Sequence, residues 1–205
     1  MTRLYITRHG QTEWNIEGRM QGSLNSSLTE VGVKQAIQLG KRLENTNIDI
    51  AYSSSSGRAL HSAELIVGDR DINIIPVDDL KEMNLGIWEG QTFKVVEEKH
   101  KEQFDTFWNT PHLLKEFPGE SFEEFKARTV GAAKRIIEDN KGKDVLIVAH
   151  ALVVKFLMNH FENIPLEKAF DDRIINSTSL SIVEVKGNEY NIVKYNNTEH
   201  YEIEL

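Results

Sequence analysis

A three-layer α/β/α sandwich around a mostly parallel, mixed sheet is the fold class this sequence predicts. Three observations predict it. β-prone runs alternate with helical patterns along most of the 205 residues, an alternation that builds parallel sheets covered by helices. Val145 to Ala149 is apolar without interruption, as expected of a central strand covered on both faces. Near the end, Leu180–Val185 and Tyr190–Tyr195 flank Lys186-Gly187-Asn188-Glu189. That is hairpin chemistry, and it adds an antiparallel pair to the parallel set.

The elements follow in order. Leu4–Thr7 is the first strand and closes on Arg8-His9-Gly10-Gln11-Thr12, where Gly10 is expected to supply backbone angles for a sharp turn. Thr29 is a plausible N-cap for a helix that sets Val33, Ala36, Ile37, Gly40 and Leu43 on one face. Ile48–Ser53 is a strand, and the helical stretch Gly57–Val67 gathers Leu60, Ala63 and Val67. Ile72–Val77 is the third strand. Thr92–Glu120 then interrupts the alternation with a polar helix followed by Phe104, Phe107, Trp108, Pro111, Phe117 and Pro118. It reads as a helical cap over the carboxyl edge of the sheet, and equally as a packed excursion with its own aromatic core. Ser121-Phe122-Glu123-Glu124 is a capping box opening a helix with Phe125, Ala132 and Ile136 inward. The strand Asp144–Ala149 leads into the helix Ala151–Phe161. The chain reads as one domain, 1–205, with 92–120 as the cap excursion.

Bulk properties narrow the function. The chain has no cysteine, which excludes a disulfide framework, a thiolate nucleophile and thiolate-ligated metal. No apolar run approaches the roughly 20 residues a bilayer span needs. Met1-Thr2-Arg3 runs directly into a strand without a signal-peptide pattern, so a cytoplasmic location is expected. The net charge of −8 disfavours nucleic acid and anionic membranes as partners. A phosphorylated ligand would need cations concentrated in one pocket.

Such a concentration is visible. Arg8 and His9 end the first strand, Arg58 follows the second, Glu82 lies just past the third, and His150 ends the apolar one. A parallel sheet brings all these ends to one edge, where open α/β sheets bind ligands. Taken singly, each has a plain structural reading: a hydrogen-bonded strand-end histidine, a solvated arginine, a loop carboxylate. Together they can do phosphoryl chemistry. Arginines offer forked donors to phosphate oxygens, and an unprotonated imidazole nitrogen can attack phosphorus. Its other nitrogen should donate to a backbone carbonyl, and a second histidine can stabilise charge on the phosphoryl oxygens. Glu82 suits the general acid for the leaving alkoxide and then the base for water. No metal or other cofactor is called for. The sequence carries no Walker-type loop and no clustered His/Asp pattern of a two-metal site.

Arg8-His9-Gly10-Gln11-Thr12, Arg58, Glu82 with Gly86-x-Trp88-Glu89-Gly90, and Val148-Ala149-His150 together resemble the histidine phosphatase superfamily. This is the phosphoglycerate-mutase-like group, and the broad-specificity phosphatase branch in particular. The similarity runs through nearly the whole chain. It implies His9 as the phosphohistidine nucleophile, Arg8, Arg58 and His150 as the rest of the phosphate pocket, and Glu82 as proton donor. It also places Asn15, Gln21 and Gly22 in the pocket lining, where they read alternatively as loop-ordering residues. Leu28-Thr29-x-x-Gly32 and Gln35-Ala36 match the helix that follows, in structural roles. Two departures stand out. Ala151 replaces a glycine usual after the second histidine, so altered contacts to the substrate are expected without loss of activity. Asn25-Ser26-Ser27-Leu28-Thr29 replaces a segment that often reads Asp-x-Pro-Leu-Thr, and a looser loop is expected.

The remaining candidates are weaker. His61 lies one helical turn from Arg58, at the pocket rim or simply on the surface. His100, His112, His160 and His200 read as surface residues, Trp14 and Trp88 as pocket walls, Lys81 as solvated or a local charge, and Glu199–Glu204 as an exposed acidic end. A small-molecule phosphomonoester is the expected partner, bound by a monomer or homodimer. Hydrolysis is the first reading. A phosphoglycerate mutase is the second, disfavoured because mutase relatives tend to be longer, with extra proline-rich and basic loops. An inactive phosphate-binding module is the third, disfavoured by the complete residue set. The aromatic stretch from Phe104 to Phe117 makes a broad substrate range plausible.

Overall fold

The computed structural model describes residues 1–170, 173–203 and 205. Among them, β1 (Thr2–Arg8), β2 (Ile50–Ser54), β3 (Ile74–Val77), β4 (Asp144–Ala149), β5 (Leu180–Lys186) and β6 (Glu189–Asn197) form one sheet in the order β3-β2-β4-β1-β5-β6. The first four of that order run parallel. β5 pairs antiparallel with β1 and with β6. The sheet is therefore mixed and mostly parallel, as the sequence predicts.

Two helical layers cover it. α2 (Glu30–Arg42) and α3 (Gly57–Val67) pack on one face over Tyr5, Ala51, Leu146 and Val148. α6 (Phe122–Asp139) and α7 (Ala151–Phe161) pack on the other over Leu4, Ile6, Val145 and Ile147. Alternate residues of β1 and β4 thus feed opposite cores, and the apolar run of β4 is buried throughout from Val145 to Ala149. Thr29 caps α2 by accepting from the Gly32 amide at 3.0 Å. Ser121 caps α6 in the predicted box with Glu124.

The 92–120 stretch forms α4 (Phe93–Lys99), α5 (Lys101–Asn109) and a short 3₁₀ turn, Pro111–Leu113. Phe107 is fully buried among Trp88, Trp108, Phe117, Phe122 and Phe170, with ring centroids 4.8–5.7 Å apart. Phe107, Trp108 and Phe93 also face a pocket at the carboxyl ends of the strands. The excursion is at once an aromatic core and a pocket wall.

Several expectations are corrected. A four-residue helix, α1 (Glu13–Ile16), follows the first strand, capped by Thr12 and Asn15. It is too short to show periodicity. Gly10 is required for close approach and not for a left-handed turn. A Cβ there would stand 2.5 Å from the Gly32 carbonyl oxygen, and one on Gly32 would stand 2.1 Å from that of Gln11. His200 is fully buried within the 3₁₀ turn Glu199–Glu202. The expected exposed end therefore holds only in part, and Glu204 lies outside the described residues. Residues 25–29 are tied down: Asn25 Oδ1 accepts from the Arg58 amide at 2.9 Å, and Ser26 bonds both Trp14 and Gln21.

Candidate active site

The register of the parallel strands assembles the site. Arg8 pairs with Ala149 across β1 and β4, so His9 and His150 are the next residues out on adjacent strands. Their rings meet edge to face at 5.2 Å between centroids. β2 lies beside β4. Ser54 at its end bonds His150 Nε2 at 2.8 Å, and Arg58 enters from the first turn of α3.

The tautomer of His9 is fixed by its partner. His9 Nδ1 lies 2.7 Å from the Gly10 carbonyl oxygen, which can only accept, so Nδ1 carries the proton. His9 Nε2 then carries the lone pair, which accepts from Arg58 Nε at 3.3 Å. Burial first, then the charges of Arg58 and Arg8, hold the His9 pKa well below its ordinary value. The ring is neutral at physiological pH. His150 is held neutral in the same way, chiefly by burial and by Arg58. Its Nδ1 is buried with no partner among the described residues.

The arginines are fixed from behind. Arg58 Nη2 donates to the Gly22 carbonyl at 2.9 Å and Nη1 to that of Leu24 at 2.5 Å. Burial lowers its pKa to about 10, which still leaves it charged at neutrality. Arg8 Nη1 donates to the Ile175 carbonyl at 2.8 Å, while its buried Nε has no partner among the described residues. Ser62 Oγ accepts from the Gly10 amide at 2.9 Å and donates to the Arg58 carbonyl at 2.7 Å. It braces the nucleophile candidate and the arginine against each other.

Glu82 lies on the loop after β3. Its Oε1 accepts from the Met83 amide at 3.0 Å, and its Oε2 from the Leu152 amide at 3.1 Å. The second is a free N–H in the first turn of α7. Burial raises the Glu82 pKa and outweighs the lowering by these amides, Arg58 and Arg8. A carboxyl with a raised pKa beside two arginines is what a proton donor to an anionic substrate needs.

The pocket holds about 240 Å³ and is lined by Arg8, His9, Arg58 and Glu82 together with Asn15, Arg19, Gln21, Gly22 and Ala151. His150, expected in the lining, is not among the lining residues: it is fully buried, with its ring against that of His9. Asn15 and Gln21 also order the neighbouring loop, since Asn15 Oδ1 accepts from the Thr12 amide and Gln21 Nε2 donates to Thr12 Oγ1 at 2.9 Å. These two residues thus face the pocket and order the loop at once. The apolar lining is Met20, Leu85, Phe93, Phe107, Trp108 and Leu152. Trp88 and Trp14 are not among the lining residues: Trp88 is fully buried behind Phe107, and Trp14 packs beside Gly90. His61 is exposed and outside the pocket. Lys81 pairs with Asp78 at 2.8 Å, and both face an adjoining open groove. His100 and His160 are half-buried against Trp88 and Tyr190, and His112 is exposed. Among the described residues, no group of three or more His, Asp or Glu side chains is arranged to hold a metal ion. No described helix is long and apolar enough to cross a membrane.

The sequence model of the histidine phosphatase superfamily (branch 1) matches residues 4–198. The chain belongs to this superfamily. The solved structure of Bacillus stearothermophilus YhfR superposes with a TM-score of 0.95 at 40% identity, covering 98% of this chain and 100% of that one. A metal-independent phosphoserine phosphatase of Arabidopsis thaliana is 36% identical over 159 residues, 76% of this chain and 66% of that protein. The adenosylcobalamin/α-ribazole phosphatase of Escherichia coli is 28% identical over 172 residues, 84% and 85% of the two chains. Proteins named as probable phosphoglycerate mutases match as well. The chain is thus a phosphatase-superfamily enzyme related to proteins that act on small phosphorylated molecules.

Sequence reasoning missed the residues that hold the five chemical groups in place. Ser54 sat visibly in the run Ser53-Ser54-Ser55-Ser56 at a strand end, a signal that could have found it. Ser62 is four residues after Arg58 on α3, a helical spacing that shares a face. The backbone contacts of Arg58 and Arg8 leave no trace in the sequence.

Proposed function

We propose that this chain is a metal-independent phosphomonoester hydrolase that works through a phosphohistidine on His9. The observation that carries the reading is the hydrogen bonding of His9, a residue of the pocket lining, with Nδ1 committed to the Gly10 carbonyl and the Nε2 lone pair held by Arg58 Nε. Arg8 and Arg58 supply donors for the phosphoryl oxygens, and His150 Nδ1 joins them in the tautomer whose Nε2 accepts from Ser54 Oγ. His9 Nε2 attacks phosphorus, the P–O bond to the alcohol breaks, and the protonated Glu82 carboxyl gives its proton to the departing oxygen. Glu82, now a carboxylate, takes a proton from water as the water oxygen attacks phosphorus and the P–N bond breaks. Phosphate leaves with His9 again neutral.

Hydrolysis is favoured over transfer by the surroundings of Glu82. It lines the pocket and also an open polar groove with Ser23, Lys81, Asn84, Glu120 and Arg128. That groove would bring water up to Glu82. The apolar lining suits leaving groups of varied shape, and the relatives' phosphoserine and α-ribazole phosphate names support small-metabolite monoesters. Incubation with 3-phosphoglycerate, with and without 2,3-bisphosphoglycerate, tests the reading. Free phosphate as the dominant product supports it, and 2-phosphoglycerate as the dominant product overturns it in favour of a mutase.

A further inference from the structure

Arg128 lies on α6, far in sequence from every group assigned above, yet all five of its N–H donors are engaged around Glu82. Nη1 donates to the carbonyls of Asp79 at 2.9 Å and Lys81 at 2.7 Å. Nη2 donates to the carbonyl of Glu82 itself at 3.0 Å. Nε and Nη2 grip the Glu120 carboxylate at 2.6 and 2.8 Å, and the guanidinium lies 4.9 Å from the Phe125 ring centroid. Glu120 extends the grip. Its amide donates to the Asn84 carbonyl at 2.8 Å and its Oε2 accepts from the Asn84 amide at 3.3 Å. The loop from Asp79 to Asn84 is thereby fastened to α6 through one side chain and its carboxylate partner. A planar fork is needed to reach three carbonyls and a carboxylate at once; a lysine ammonium has three donors at a single point.

We propose that Arg128, paired with Glu120, is the positioning residue for the proton donor Glu82, acting through the backbone of residues 79–84 and touching no reacting atom. The inference rests on the reading of Glu82 as the acid. It makes a definite claim about rate: loss of the clamp should impair protonation of the leaving group and leave phosphoryl binding intact. Misplacement of a catalytic group by about 1 Å can cost about a hundredfold.

The test compares kcat/KM for an alkyl phosphate, a poor leaving group that needs the acid, with that for p-nitrophenyl phosphate, which does not. Their ratio on one enzyme sample is independent of how much of that sample is folded. Glu82→Gln is expected to lower the ratio by about 10²-fold or more. Arg128→Ala and Arg128→Lys should both lower it by about tenfold or more, with the lysine failing to rescue although it keeps the charge. In the Glu82→Gln background, Arg128→Lys should lower the ratio no further. A ratio unchanged in both Arg128 variants while Glu82→Gln lowers it overturns the positioning role alone. So does full rescue by lysine, or a further drop in the double variant. A ratio unchanged in Glu82→Gln overturns the assignment of the acid, and with it this inference.

Discussion

The two ends of the pocket are built in opposite ways. The phosphate end is polar, buried and braced: His9 by Gly10, Arg58 by Gly22 and Leu24, His150 by Ser54, Arg8 by Ile175. Its residues come from strand ends and first helical turns, where register fixes position. The other end is mostly apolar, with Arg19 as its charged residue, and comes mostly from loops and the 92–120 excursion, through Met20, Leu85, Phe93 and Trp108. Phe93 is exposed and Trp108 half-buried there, although Phe107 behind them is locked in the aromatic core. In the proposed reaction the first end would offer one geometry to the phosphoryl group, and the second would meet the alcohol part with apolar surface. A family that keeps phosphate chemistry and varies its alcohol would be built this way.

A crossed panel of substrates breaks or sharpens that contrast. Arg58→Lys keeps the charge but loses the fork, and should lower kcat/KM for every phosphomonoester by a common factor of about 10²–10³. Trp108→Ala should raise KM for monoesters of large apolar alcohols by about tenfold and leave small polar ones nearly unchanged. Steady-state kinetics over four or five leaving groups distinguishes the patterns. A substrate-dependent loss in the arginine variant, or a uniform one in the tryptophan variant, would dissolve the division between the two ends.

A smaller effect separates folding from chemistry. His200 is buried on Thr178, whose amide reaches back to the carbonyls of Arg8 and His9. Burial, aided by the charge of Arg42, lowers the His200 pKa to about 4. The unfolded chain protonates this histidine from about pH 6.5 downward and the folded chain does not, so acid favours unfolding through this window. The loss is about 2 kcal/mol, part of the full linkage being screened by solvent near the chain end. It levels off below about pH 4. His9 and His150 contribute in the same direction. His200→Gln should flatten the fall in denaturant midpoint between pH 6.5 and 4 by its own share. An unaltered slope would mean His200 is not held neutral by the fold.

What the sequence made legible, and what it hid, follows the same contrast. Strand β4 and the capping box of α6 could be read locally, because an apolar run and a Ser-x-x-Glu spacing carry their physics within a few residues. Arg8, His9, Arg58, Glu82 and His150 could be grouped because a parallel sheet brings its carboxyl ends together. Arg128 could not, since its five hydrogen bonds go to three backbone carbonyls and the Glu120 carboxylate, and backbone carbonyls carry no mark of the contact in the sequence. Gly10 was read for its turn, whereas its need is the close backbone of Gly32. Their place near the motif suggests Trp88 and Trp14 as pocket walls, whereas Phe93, Phe107 and Trp108 face the cavity. Burial of His200 depends on how the chain end folds back over α2, which periodicity does not encode.

The proposed reaction depends on the unprotonated nitrogen of His9. The direct measurement is rapid quenching under alkaline conditions with a ³²P-labelled monoester, followed by peptide mapping of the label. The account predicts acid-labile, alkali-stable phosphate on the peptide carrying His9, and neither label nor turnover in His9→Ala. Label mapped to His150 or to any other residue, or sustained turnover in His9→Ala, would contradict it.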